Sequence, residues 1–145
     1  MTARIVYLGD LRTEMTHVQS ASIVETDAPK DNQGKGERFS PTDLVSAALG
    51  SCMLSIMGIA ARTHGIDIVD TIIEVEKIMV ADPLRRIGEI RLMIQLPDSV
   101  YYSEKERLIL EKAALTCPVM LSLGERVQKT IRWHWGRESV REKLV

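Results

Sequence analysis

The chain has 145 residues, enough for one domain with a core of its own. Hydrophobic residues make up 45% and charged residues 27%, the balance of an ordinary globular domain, and the formal net charge is -1. That near-neutrality, with only two Trp, three Tyr and one Phe, argues against a nucleic-acid or anionic-membrane partner, because neither the basic footprint nor a base-stacking platform is present.

No basic-then-apolar leader opens the sequence, so the expected address is the cytoplasm, where structural disulfides are rare. From residue 3 to residue 26 short apolar runs (Ile5-Val6-Tyr7-Leu8, then Val18, then Ile23-Val24) read as three short antiparallel strands, with Gly9-Asp10 as a turn. Residues 28–37 form a polar loop. Ser40 then stands at an N-cap, Pro41 at the first helical position and Asp43 three residues after the cap, and Gly65 stops the helix that follows.

Residues 44–61 of that helix carry no charge and reach the length of a membrane-span candidate, but Ser46, Gly50, Ser51, Ser55 and Gly58 make them small and semi-polar. A buried core helix is the expectation, not a membrane span. Cys52 shares a face with Val45, Ala48, Leu49, Ile56 and Ile59, while Gly50, Leu54, Met57 and Ala61 lie opposite. A helix apolar all round must be covered all round, which one small chain does poorly. The stripe Ala47, Ser51, Ser55 and Gly58 would let a second helix approach closely, so a symmetric homodimer is expected.

Residues 68–80 read as a long strand, Asp82-Pro83 as a turn, and residues 88–96 as a strand with Ile90, Leu92, Ile94 and Leu96 inward. Ser103 and Glu106 form a capping box for a helix whose buried face includes Leu110, Ala113, Ala114 and Cys117. Pro118 restarts a short helix that Gly124 ends. The last strand places Val127, Ile131, Trp133 and Trp135 on one face and Gln128, Thr130, Arg132 and His134 on the other, and the charged tail from Arg137 is expected to fray or lie on the surface. The fold class is α+β over residues 1–145 as a single domain, with antiparallel pairing favoured by the short connections.

The chemistry-bearing residues are the two cysteines. Either both are small buried hydrophobes or one is reactive. A metal centre is not indicated, since there is no C-x-x-C and His17, His64 and His134 lie at no ligand-like spacing to either thiol; no cofactor motif is present. Cys117 precedes Pro118 at a helix start, where free N–H groups favour a thiolate. Cys52 lies mid-helix, where the amides are already bonded, so reactivity there requires an imported cation that spacing alone does not identify.

Phe39-Ser40-Pro41-Thr42-Asp43-Leu44 followed by Ala47-Ala48-Leu49-Gly50-Ser51-Cys52 resembles the helix motif of the OsmC/Ohr family, an S/N-P-x-x-L opening leading to A-A-x-x-x-C. Thr116-Cys117-Pro118-Val119 resembles that family's second-cysteine segment, and the order of elements agrees across nearly the whole chain. The resemblance implies an intertwined homodimer that reduces organic hydroperoxides, or hydrogen peroxide, with Cys52 as nucleophile, Cys117 as resolving thiol and an external dithiol as reductant. It also implies an arginine from the N-terminal strands beside the thiolate, for which Arg12 is the best match and Arg38 the rival. A carboxylate at the start of the central helix would orient that arginine. The peroxidase branches place a glutamate directly after the proline, where this chain has Thr42; Asp43, one residue on, or Glu14 would have to substitute, although capping is the simpler role of Asp43. The competing reading is a non-catalytic dimeric module that senses oxidant or binds an apolar ligand.

Overall fold

The computed structural model describes residues 1–136 and 141–144. The elements are β1 (Ala3–Gly9), β2 (Arg12–His17), β3 (Ile23–Asp27), α1 (Pro41–His64), β4 (Ile72–Val80), β5 (Arg86–Leu96), α2 (Glu104–Leu115), α3 (Pro118–Ser122), β6 (Gln128–Trp135) and β7 (Arg141–Leu144). The protein is α+β, as expected, and its contacts divide it into two units, Met1–Val45 and Ser46–Val145.

In the N-terminal unit β1, β2 and β3 form an antiparallel sheet in that order. The β1–β2 turn uses left-handed backbone at Gly9, Asp10 and Leu11, the conformation that the Gly-Asp pair favours. The ladder sets Arg12 opposite Asp27 and Glu14 opposite Glu25. Ile5, Tyr7, Leu8 and Ile23 stay exposed on this sheet. The unit ends in a reciprocal cap for α1. The Ser40 N–H donates to an Asp43 carboxylate oxygen at 2.7 Å, and the Asp43 N–H donates to Ser40 Oγ at 3.1 Å.

In the C-terminal unit β4, β5, β6 and β7 form a mixed sheet in that order. Ile90, Leu92, Ile94 and Leu96 of β5 are buried, as their alternation requires. Residues of α1, α2 and α3 join them in one core, among them Leu49, Met53, Met57, Leu110, Ala114 and Met120. Among the described residues α1 is the one helix long and apolar enough to cross a membrane by length and composition. It lies against β4 and β5 at Gly50, where an added Cβ would come within 3.1 Å of Val75, 3.3 Å of Ile73 and 3.8 Å of Leu92.

Several expectations are corrected. The buried side of α1 is Ser46, Leu49, Gly50, Met53, Met57 and Ala61, because the glycine lets the sheet come close there. Val45 and Ile59 are exposed, so one chain does not cover the helix all round. The strand expected from residue 68 begins at Ile72; Asp70 has positive φ, and an Asp67 carboxylate takes the Val69 N–H at 3.0 Å, which holds a turn. Cys117 is not part of α2; it caps α3. The pairing of β5 with β6 is parallel, not antiparallel, because α2 and α3 form a crossover that returns the chain to the same end of the sheet. Thr130, expected outward, is buried because β6 is an interior strand, and its Oγ1 donates to Glu89 at 2.7 Å. Of the charged tail, Arg141–Leu144 pairs with β6 and does not fray; residues 137–140 and 145 lie outside the described residues.

The close approach at Gly50 gives a direct test. Gly50→Leu inserts a branched side chain where a single carbon already meets Val75 and Ile73, so urea unfolding should show a loss of roughly 1–3 kcal/mol. Unchanged stability would mean that the sheet does not lie against that turn of the helix.

Candidate functional site

The candidate residues fall into two clusters, one in each unit. In the C-terminal unit Cys52 and Cys117 are both free thiols. Cys52 is half-buried on the flank of α1, beside the buried stripe, and Cys117 is fully buried. Cys52 packs against the core cluster that holds Cys117, and the two thiols interact electrostatically. Helix periodicity places the first, and the Pro118 break places the second, because a proline at the first helical position leaves the preceding residue extended and at the cap.

Cys117 Sγ accepts the Met120 N–H at 3.3 Å, so the expected helix-start donor is present. It does not decide the protonation state. Burial pushes the Cys117 thiol up, the Met120 N–H pulls the other way, and the neighbouring Cys52 thiol adds to the upward push. Cys117 is therefore held as a neutral thiol, against the thiolate that the helix start alone would favour.

In the N-terminal unit Arg12 is gripped by two carboxylates. Nε donates to Asp27 Oδ1 at 2.7 Å, and Nη2 donates to Asp27 Oδ2 at 2.8 Å and to Glu37 Oε2 at 2.9 Å. Asp27 is buried, and its Oδ2 also takes the Glu37 N–H at 3.0 Å. The Arg12 guanidinium, with that backbone donor, overcomes burial and holds the Asp27 carboxyl down at about 2. Neither Glu14 nor Asp43 fills the expected role of Arg12 partner: Glu14 stands across the ladder from Val6 and Glu25, and Asp43 caps α1. Arg38, the rival arginine, pairs with Glu25 at 2.8 Å.

The family of OsmC-like proteins matches residues 34–132, the stretch that holds both cysteines. A crystal structure from Psychrobacter arcticus 273-4, described in terms of osmotic stress induction and detoxification response, is 46% identical over 92% of this chain and 96% of its own, with a TM-score of 0.86. The chain belongs to the OsmC family. An organic hydroperoxide resistance protein OsmC from Legionella pneumophila has the same fold at 16% identity, with a TM-score of 0.74 over 92% of this chain and 97% of its own. So does the organic hydroperoxide resistance protein OhrB of Bacillus subtilis, at 19% identity and 0.66 over 92% and 98%. No curated protein matches.

Within this OsmC-like chain, Asp27 and Glu37 are the residues that sequence reasoning missed. The available signal for Asp27 was the β2–β3 hairpin, whose register alone sets Arg12 and Asp27 opposite each other. Among the described residues no group of three His, Cys, Asp or Glu is placed to hold a metal ion.

The Arg12–Asp27 pair sets a pH dependence. A carboxyl lowered from 3.8 to about 2 in the native state contributes stability that is complete above about pH 4 and is lost as pH falls through about 2. Urea midpoints measured from pH 6 down to pH 2 should therefore fall more steeply for the native sequence than for Asp27→Asn. Parallel acid limbs would show that the pair is not formed in solution.

Proposed function

We propose that this OsmC-like protein is a thiol-dependent peroxidase acting on organic hydroperoxides. The observation that carries the reading is the adjacency of two free thiols of unequal exposure, one half-buried on a helix flank and the other sealed in the core. Membership of the OsmC family, which shares its fold with proteins named for organic hydroperoxide resistance, supports it.

In the proposed cycle the Cys52 thiolate attacks the terminal peroxide oxygen. An S–O bond forms, the O–O bond breaks, the sulfur is oxidised to a sulfenic acid, and the alkoxide leaves and is protonated to an alcohol. Arg12 is assigned the charge that stabilises the thiolate and the departing oxygen. Cys117, protonated and inaccessible to bulk peroxide, waits until Cys52 is oxidised. Its sulfur then condenses with the sulfenic acid, releasing water and leaving a disulfide for an external dithiol to reduce by exchange.

Consumption of cumene hydroperoxide in the presence of dithiothreitol tests the cycle. Cys52→Ser should fall to background, and Cys117→Ser should oxidise Cys52 without forming the intrachain disulfide. Arg12→Met should slow turnover on the order of 10²-fold, with recovery at high pH where thiolate forms unaided, while Arg38→Met does much less. Turnover by Cys52→Ser would end the proposal. Stoichiometric oxidation of the native protein without turnover would favour the sensing module.

We also propose that the working form is a homodimer. One chain leaves Ile5, Tyr7, Leu8 and Ile23 exposed on the strands of the N-terminal sheet, and Val45 and Ile59 exposed on α1, apolar side chains that a second chain would cover. Sedimentation at micromolar concentration should give twice the chain mass of 16.3 kDa. A well-folded monomer would contradict this.

A further inference from the structure

The four-stranded sheet has two faces of different character. Ile73, Val75 and Leu92 point toward α1 and meet it at Gly50. The residues that alternate with that apolar face share the other one. Glu74 and Glu76 of β4, Arg91 and Met93 of β5, and Thr130 and Arg132 of β6 line a cleft there of about 240 Å³. Neither thiol lies on this face, and the peroxidase reading makes no use of it.

The register sets these six side chains in two rows across the strands. In the first row Glu76 stands opposite Arg91 and Arg91 opposite Thr130; in the second Glu74 stands opposite Met93 and Met93 opposite Arg132. The first row is closed by its own bonds. Arg91 Nη1 donates to Glu76 at 3.3 Å, and its Nε and Nη2 donate to Glu89 at 3.1 and 3.0 Å. The buried Thr130 hydroxyl donates to the same Glu89 at 2.7 Å.

The second row is open in the middle. Its two charges stand two strands apart, about 10 Å between their stems, with the half-buried Met93 between them where the first row has an arginine. Gln95 Nε2 donates to Glu74 Oε2 at 3.0 Å and steadies the carboxylate at one end. At the other end the Arg132 guanidinium has five N–H donors, enough to take an incoming carboxylate alongside an existing partner.

We infer that this second row is a binding site for a small zwitterion of dipeptide size, with its ammonium at Glu74, its carboxylate at Arg132 and an apolar side chain on Met93. The cleft is smaller than the roughly 300 Å³ at which drug-sized sites begin, which suits a molecule of that size and not a large cofactor. The order of charge sets the direction. Carboxylates line the cleft from β4 and guanidiniums from β5 and β6, so a zwitterion laid across the strands meets opposite charge at both ends. A dianion or a dication gains at one end and is repelled at the other. Methionine, unbranched and polarisable, adapts to side chains of different shape between them.

Glycyl-leucine is the probe, titrated into the full-length, isotope-labelled protein and followed by amide chemical shifts. Saturable shifts should centre on residues 74–76, 91–93 and 130–132, with a dissociation constant on the order of 1 mM, because exposed ion pairs contribute little each. N-acetyl-glycyl-leucine lacks the ammonium and glycyl-leucinamide lacks the carboxylate, and each should bind roughly 10-fold more weakly. Glu74→Gln and Arg132→Gln should weaken glycyl-leucine by a similar factor, while Glu76→Gln, in the closed row, should change it by less than about twofold.

No saturable shift, or shifts centred elsewhere in the chain, would overturn the site. Equal binding of glycyl-leucine and both blocked analogues would overturn it as well, since neither charge would then be read. Glu74 and Arg132 are exposed, and native amide shifts away from the cleft are the check that each variant is folded. Native affinity in both folded variants removes the assignment. None of these readouts depends on hydroperoxide turnover, so the result bears on this cleft alone.

Discussion

The close approach of α1 to the β4–β5 face at Gly50 fixes the rotation of the helix, and the placement of Cys52 depends on that rotation. With no Cβ at residue 50, Val75 and Ile73 reach the helix backbone, and Met53, Met57 and Ala61 follow it into the core. Each residue advances about 100° around the axis. Cys52 is therefore carried to the margin of the buried stripe, on the side shared with Leu49 and Ile56, where it packs against the core cluster that holds Cys117. A helix turned by one residue would place Cys52 either wholly in the core or wholly in water.

Two opposed electrostatic solutions operate in the two units. Around Cys117, burial outweighs a well-placed backbone donor and the group stays neutral. At Asp27 burial is just as complete, yet the carboxyl is held ionised by a guanidinium and a backbone N–H together. The difference follows from the number and charge of the donors. A single neutral amide at 3.3 Å from a soft sulfur is a weak contact, whereas a bidentate guanidinium at 2.7 and 2.8 Å is among the strongest that a carboxylate makes. Neutral thiol and fixed ion pair are each suited to a different step of the same proposed reaction.

Much of the fold was legible in the chain. The N-cap at Ser40, the break at Pro118 and the alternation of Ile90, Leu92, Ile94 and Leu96 each carry a local physical signal, and the helix and strand lie where those signals put them. The two cysteines were legible as candidates for the same reason. What was not legible was non-local. Parallel pairing of β5 with β6 depends on where a whole crossover returns the chain, and the interior position of β6, where Thr130 is buried, depends on strands pairing along both of its edges. The partner of Arg12 was hidden for a related reason: helix-start carboxylates are visible in one turn of sequence, whereas Asp27 meets Arg12 only through a strand register.

The two tryptophans stand two residues apart on β6, stacked with centroids 5.0 Å apart and planes within 3°, and both are buried. They are the only tryptophans in the chain, and the unit that holds Arg12 and Asp27 has none. Tryptophan fluorescence, excited apart from the tyrosines, is thus a reporter of the C-terminal unit alone, emitting from two buried indoles. The coplanar indoles are also placed for exciton coupling, a near-ultraviolet dichroism signature that vanishes when β6 loses its packing. A fluorescence melt of this protein follows the thiol-bearing half and is blind to the arginine-bearing sheet, whose loss has to be watched by backbone signals instead.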